Sequence, residues 1–186
     1  QTERNFYWGL AHELNIVEHK QAPHTIEDYL KVCEGKFAIY TRMLHALRYL
    51  SDQPDNMQPM LDAFRGLFVA DCLFDDAADW QDDAQAGRRT LPIVLALQAT
   101  NTPLERFGEL SLPELEARIN RSNIMPRITA KAIDYLEKAR TRLREAGLDD
   151  TYFAHLLEQR YQDALDSHRV FNVVRGFDSF ITALNR

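Results

Sequence analysis

The sequence predicts an all-α protein, a helical bundle, on three observations. Apolar residues recur at helical spacing, and no stretch alternates between apolar and polar as a half-buried strand does. Only seven glycines and seven prolines punctuate the 186 residues. Hydrophobic residues make up 45% of the chain, enough to build a core and too many for a disordered segment. The length fits a single helical domain spanning residues 1–186.

A first helix is expected from about Glu3 to Lys20, ended by Ala22-Pro23. Thr25 with Asp28 is an N-cap signal for a second helix that continues to about Leu50. Gly35 falls inside it, where glycine costs about 1 kcal/mol against alanine. A ligand beside Lys36 or a kink there, or else close packing of a neighbouring helix, would justify that cost. Ser51 to Pro59 has the composition of a loop, and the next helix should run from about Met60 to Gln85, with Gly87 as its C-cap. Thr90 is placed to cap the following helix, with Pro92 in its first turn. That helix carries Ile93, Val94, Leu95 and Leu97 and is apolar nearly all round, so it should be buried. Ser111 and Glu114 form a capping box. Pro126 opens another helix, closed by Gly147, and Asp149 or Asp150 should start a last long one reaching toward Val174.

Composition removes several function classes. A net charge of −6, with no lysine–arginine stripe, argues against nucleic acid as a partner. No apolar run approaches the ~18 residues of a membrane span and no signal peptide is recognisable, so the expected location is cytoplasmic. Cys33 and Cys72 have no metal-ligand spacing and fit a reducing compartment, with two buried thiols as the default; Cys72 is also placed to line a cavity beside the acidic motif. The six histidines form no HExxH, so zinc is not expected, and no glycine-rich phosphate loop or G-x-S-x-G elbow is present.

The informative segment is 74–92, where Asp75, Asp76, Asp79, Asp82 and Asp83 fall within nine residues. A mainly apolar approach, Leu67 to Ala70 and then Leu73 and Phe74, leads into them, and Gly87, Arg88, Arg89 and Leu91-Pro92 follow. Residues three and four apart share a helix face, so Asp75, Asp79 and Asp82 form one column and Asp76, Asp79 and Asp83 another. Acids on a buried face need cations, and all-oxygen donors with room for water and phosphate suit Mg2+. The basic turn beside them offers anion ligands. The plainer reading is a solvated acidic face, with Arg88 and Arg89 complementing a helix dipole.

Asp75-Asp76-Ala77-Ala78-Asp79 resembles the second DDxxD motif of trans-prenyl diphosphate synthases, and Asp79-x-x-x-Asp83 with Gly87-Arg88 and Leu91-Pro92 resembles the spacing in squalene and phytoene synthases. Lys36, 39 residues before Asp75, resembles the lysine of the prenyl synthase lysine–threonine pair, with Phe37 in place of the threonine. Arg160-Tyr161 resembles the C-terminal pair of bacterial terpene cyclases. The resemblance is to the class I isoprenoid synthases. It implies magnesium-dependent ionisation of an allylic prenyl diphosphate, followed by prenyl transfer or cyclisation. It implies Asp75, Asp76 and Asp79 as catalytic metal ligands with Asp83 beside them, and Lys36, Arg88 and Arg89 as diphosphate clamps. Phe37, Tyr40, Phe68, Cys72 and Trp80 are candidate lining for the prenyl chain.

The family's first acidic helix has no counterpart upstream of Asp75. The chain therefore reads as the rear part of an isoprenoid synthase-type α domain, completed by an N-terminal half or by a partner subunit. A non-catalytic synthase-like subunit that regulates a catalytic partner is the alternative reading, and a homodimer is compatible with either.

Overall fold

The computed structural model describes residue 4 and residues 7–11, 25–51 and 57–184. Every regular element among them is helical: α1 Ile26–Ser51, α2 Met57–Gln85, α3 Leu91–Ala99, a 3-10 turn Leu104–Glu109, α4 Leu112–Arg121, α5 Ile124–Glu145 and α6 Tyr152–Leu184. Residues 7–11 are helical too. The chain is all-α, as its sequence predicts. Most of the expected first helix, and the loop residues 52–56, lie outside the described residues.

Local chemistry sets most boundaries. Thr25 Oγ1 accepts the Asp28 amide at 3.0 Å and starts α1. Gly87 takes φ 74°, and with Gly87 N–H donating to Ala84 O at 3.0 Å and Arg88 N–H to Asp83 O at 2.8 Å it ends α2 as a Schellman motif. Gly147 does the same for α5 at φ 67°, with Leu148 N–H donating to Leu143 O at 2.9 Å. The Ser111 amide donates to Glu114 at 2.8 Å, so the capping box is real.

Three expectations need correction. The acidic helix starts at Met57 rather than about Met60, because Pro59 is accommodated in its first turn, where its missing N–H costs nothing. The last helix starts after Thr151, not at Asp149 or Asp150: Thr151 Oγ1 accepts the Ala154 amide at 3.2 Å and serves as cap. It runs on to Leu184, past Val174, since no proline falls in 175–184 and the single Gly176 is carried within the helix. The short 3-10 turn was not foreseen; Pro103 before it fixes an extended entry, and Phe107 within it packs into the core.

The core is one cluster in which α2 is central. Its most extensive packing is against α5, and α1 flanks it on another side. Leu73 on α2, Ile93 and Leu97 on α3, Ile119 on α4, Leu136 on α5 and Leu157 on α6 are all buried in that cluster. Each contributes about 1.5–3 kcal/mol of burial. As expected from its composition, α3 is buried from Leu91 through Leu97. None of the described helices is long and apolar enough to cross a membrane.

Two glycines mark close helix approach. A Cβ added to Gly9 would lie 2.7 Å from the Lys36 backbone nitrogen and 2.8 Å from the Gly35 carbonyl carbon. Gly35 is therefore the seat of a neighbouring backbone, which bears out its packing reading. A Cβ on Gly66 of α2 would lie 2.9 Å from both Ala139 Cβ and Tyr135 O on α5. Alanine is the better helix former, so Gly66→Ala tests packing against propensity. We expect it to destabilise by about 1–3 kcal/mol, a lower urea midpoint at unchanged slope. An unchanged or higher midpoint would mean that α2 and α5 separate freely.

Candidate functional site

The inner stripe of α2 runs through Leu73, Ala77 and Trp80 to Asp83, all buried. Asp76 lies beside that stripe and is partly buried, while Asp75, Asp79 and Asp82 are exposed. The predicted Asp76–Asp79–Asp83 column thus divides. Helical geometry spreads residues 76, 79 and 83 over an arc wide enough to put the middle one outside. The Asp75–Asp79–Asp82 column does form, facing outward.

Asp76 has a structural partner that the sequence did not disclose. Its Oδ2 accepts the backbone N–H of Leu91 at 3.0 Å, across the turn and onto the first residue of α3. Thr90, the expected cap of that helix, makes no such bond, and its hydroxyl is buried without a partner. The next residue, Pro92, has no amide to offer. Asp76 therefore caps α3 from fifteen residues away, with the favourable charge for a helix N-terminus. Its carboxyl is nonetheless pushed up from 3.8 to about 6, chiefly by burial. The hydrogen bond from Leu91, the nearby Tyr29 hydroxyl and the charge of Lys36 pull the other way, and Asp83 adds to the rise.

Tyr29 was also missed. It lies on α1 one turn before Cys33 and two before Lys36, a spacing that could have flagged it. Its hydroxyl is buried beneath the acidic face, donates to the Cys72 carbonyl at 3.1 Å and lies close enough to Asp76 to act on its ionisation. Burial holds its own ionisation well above the usual range, with Asp76 adding to the effect. The neighbouring Cys72 and burial push the Cys33 thiol up from its ordinary value.

Lys36 is partly buried and close enough for its charge to act on both Asp76 and Cys72, so it faces the acidic helix. Asp83 is paired with Arg88 at 3.0 Å, which ties that arginine to the helix end, the plainer of its two expected roles. The Arg89 Nε is buried without a hydrogen-bond partner. Arg160 of α6 reaches to 4.0 Å from Asp71, one turn before Asp75, whereas Tyr161 turns the other way, its ring beneath Arg140 at 4.0 Å. Phe37, Tyr40 and Phe68 form a ring cluster with centroids 5.4–6.0 Å apart, and Tyr40 stays 45% exposed. Cys72 is partly buried beside them, and Trp80 is in the core instead.

The donors fit a hard cation in type: every aspartate offers oxygen, and Asp76 is poorly hydrated. Among the described residues no group of three or more histidine, cysteine or acidic side chains converges on one point. Comparison with protein-family models, with curated proteins and with solved structures found no match.

Asp76 gives a pH signature. Its unfolded carboxyl ionises near 3.8 and its folded one near 6, so between these values the folded chain holds more protons and stability falls as pH rises. An amide keeps the acceptor for Leu91 and removes the charge. Asp76→Asn should therefore be close to wild type near pH 4 and gain on it by up to about 3 kcal/mol by pH 7 in urea denaturation. A pH-independent difference would mean that Asp76 is not desolvated in the fold.

Proposed function

We propose that this chain supplies one acidic wall of a site for magnesium-dependent ionisation of an allylic prenyl diphosphate, leading to prenyl transfer or cyclisation. The observation that carries the reading is Asp76: a carboxylate on the inward side of an acidic helix, desolvated, beside Lys36 and followed by an arginine turn. Capping α3 accounts for where Asp76 sits, and a bound cation would in addition offset the cost of burying its charge.

In this reading Asp75, Asp76, Asp79 and Asp83 would hold Mg2+ together with phosphate oxygens and water, the mixed shell magnesium prefers. When bound, the metal supplies Lewis-acid neutralisation of the leaving diphosphate. Lys36 and Arg89 orient the diphosphate through charge and N–H donors, and Arg88 first has to leave Asp83 to join them. The ring cluster of Phe37, Tyr40 and Phe68 covers part of an apolar chain and keeps water from it. A facing acidic helix, from an N-terminal half or another subunit, would complete the charge balance.

The second reading, a non-catalytic synthase-like subunit, draws on a different observation: Asp75 and Asp79 face outward and Asp83 already has Arg88. The same geometry would serve a solvated acidic surface.

One pair of measurements separates these readings. Mn2+, as a paramagnetic stand-in for magnesium, is added with inorganic diphosphate, and amide resonances are followed. Selective broadening at residues 75–83 that weakens at least about tenfold in Asp76→Asn and Asp79→Asn supports the metal site. Broadening elsewhere removes it. Incubation with farnesyl or geranylgeranyl diphosphate and magnesium should give no turnover from the chain alone. Full activity there would overturn the half-site account.

A further inference from the structure

We infer that the outward face of α1 is a membrane-association surface, which lies flat on the anionic headgroup layer of a lipid bilayer.

Among the described elements α1 packs chiefly against α2, so its opposite side is left without a helical neighbour. Gly35, Ile39, Met43 and Ala46 share that side, because positions three and four apart stack on one helix face. The stripe is covered only where it begins. There the helical segment 7–11 sits on Gly35 through the close approach of Gly9. Further along, Ile39 is 41% exposed, Met43 58% and Tyr49 88%. The covering segment brings Trp8 and Leu10, both exposed, to the same edge. Single apolar residues at a surface are ordinary, whereas a row of them on one face is a contact surface.

Charge selects the occupant. The chain carries a net charge of −6, yet residues 35–51 contain no aspartate or glutamate and hold Lys36, Arg42 and Arg48. Arg42 and His45 are exposed beside the apolar row, and Arg4 is exposed just ahead of the segment that covers Gly35. A second copy paired through this face would repeat each contact about a two-fold axis and set the basic segment against itself. An anionic surface meets it with opposite charge. A bilayer also asks for no matching groove: apolar and aromatic side chains sink to the headgroup boundary while an arginine beside them reaches back to the phosphates. Trp8 and Tyr49 are of the kind enriched at that boundary, an apolar ring with a polar tip. In this placement α1 lies on the membrane, and none of the described helices is built to cross it.

The full chain is mixed with vesicles of phosphatidylcholine, or with vesicles in which about a third of the lipid is phosphatidylglycerol, and binding is read by flotation. Binding to the anionic vesicles should be at least about tenfold tighter, and the preference should shrink as salt is raised. Arg42→Gln should weaken anionic binding about fivefold, the effect of one basic residue near such a surface. Met43→Glu and Tyr49→Glu, at positions already in water, should each weaken it at least about tenfold while keeping the wild-type circular dichroism. Val173→Glu places the same charge at an exposed apolar position on α6, away from the strip, and should leave binding unchanged. Equal binding to neutral vesicles, or anionic binding that survives both Met43→Glu and Tyr49→Glu, overturns the inference. So does a wild type that stays off anionic vesicles; if it then sediments as a dimer, or takes up an acidic amphipathic peptide, the strip belongs to a second copy or to a protein partner. Vesicle binding is read without substrate or metal, so it stands or falls separately from the chemistry of the acidic helix.

Discussion

The structure turns on one hydrogen bond that spans a helix–helix junction, from the Leu91 amide to the Asp76 carboxylate. The end of α2 and the start of α3 are separated by a turn containing two arginines and a glycine, with little apolar surface to hold it. Gly87 reverses the chain through its left-handed φ, and Asp76 then receives the incoming helix by its first N–H. Pro92 lacks an amide and the Thr90 hydroxyl is idle, so no local group could take over. The apolar α3, buried along nearly its whole length, therefore takes its place from an ionisable group. A carboxylate that must stay in a poorly hydrated place to do this is a standing electrostatic cost.

That cost organises the surroundings. Tyr29 and Lys36 come from α1 to the same carboxylate, and Asp83 with Arg88 lies further along α2. Each of the inward acids is thus met by a positive charge or a hydrogen-bond donor, while the outward acids meet water. The acidic motif is two populations on one helix: Asp76 and Asp83 built into the fold, Asp75, Asp79 and Asp82 presented at its surface. A cation bridging the two populations would relieve the first and immobilise the second.

The fold was largely legible because its determinants are local. The Thr25 cap, the Ser111–Glu114 box and the two positive-φ glycines act within a few residues, and each falls where the sequence places it. Buried α3 could be read from its composition alone. The site was legible as a segment and not as a geometry. Runs of residues show which acids share a helix, but the direction each one faces depends on how α2 is rotated against α5 and α1. Asp76 as a cap for α3 and Tyr29 against Cys72 are contacts between residues fifteen and forty-three apart. No spacing rule reaches that far. The Thr90 expectation failed for the same reason: a tertiary acceptor displaced the local one.

The rotation of α2 has a mechanical origin in Gly66. At that residue α2 meets α5 backbone to side chain, with Tyr135 O and Ala139 Cβ within 2.9 Å of where a methyl group would sit. Two helices in such contact have no flexible side chain between them to absorb a turn about the long axis. Successive residues are about 100° apart around a helix, so even a fraction of one residue's rotation would start to exchange the sheltered and the wetted acids. Gly66, some ten residues from Asp76, acts as an index pin. It fixes the helix azimuth, and with it which carboxylates are available to solvent and which belong to the interior.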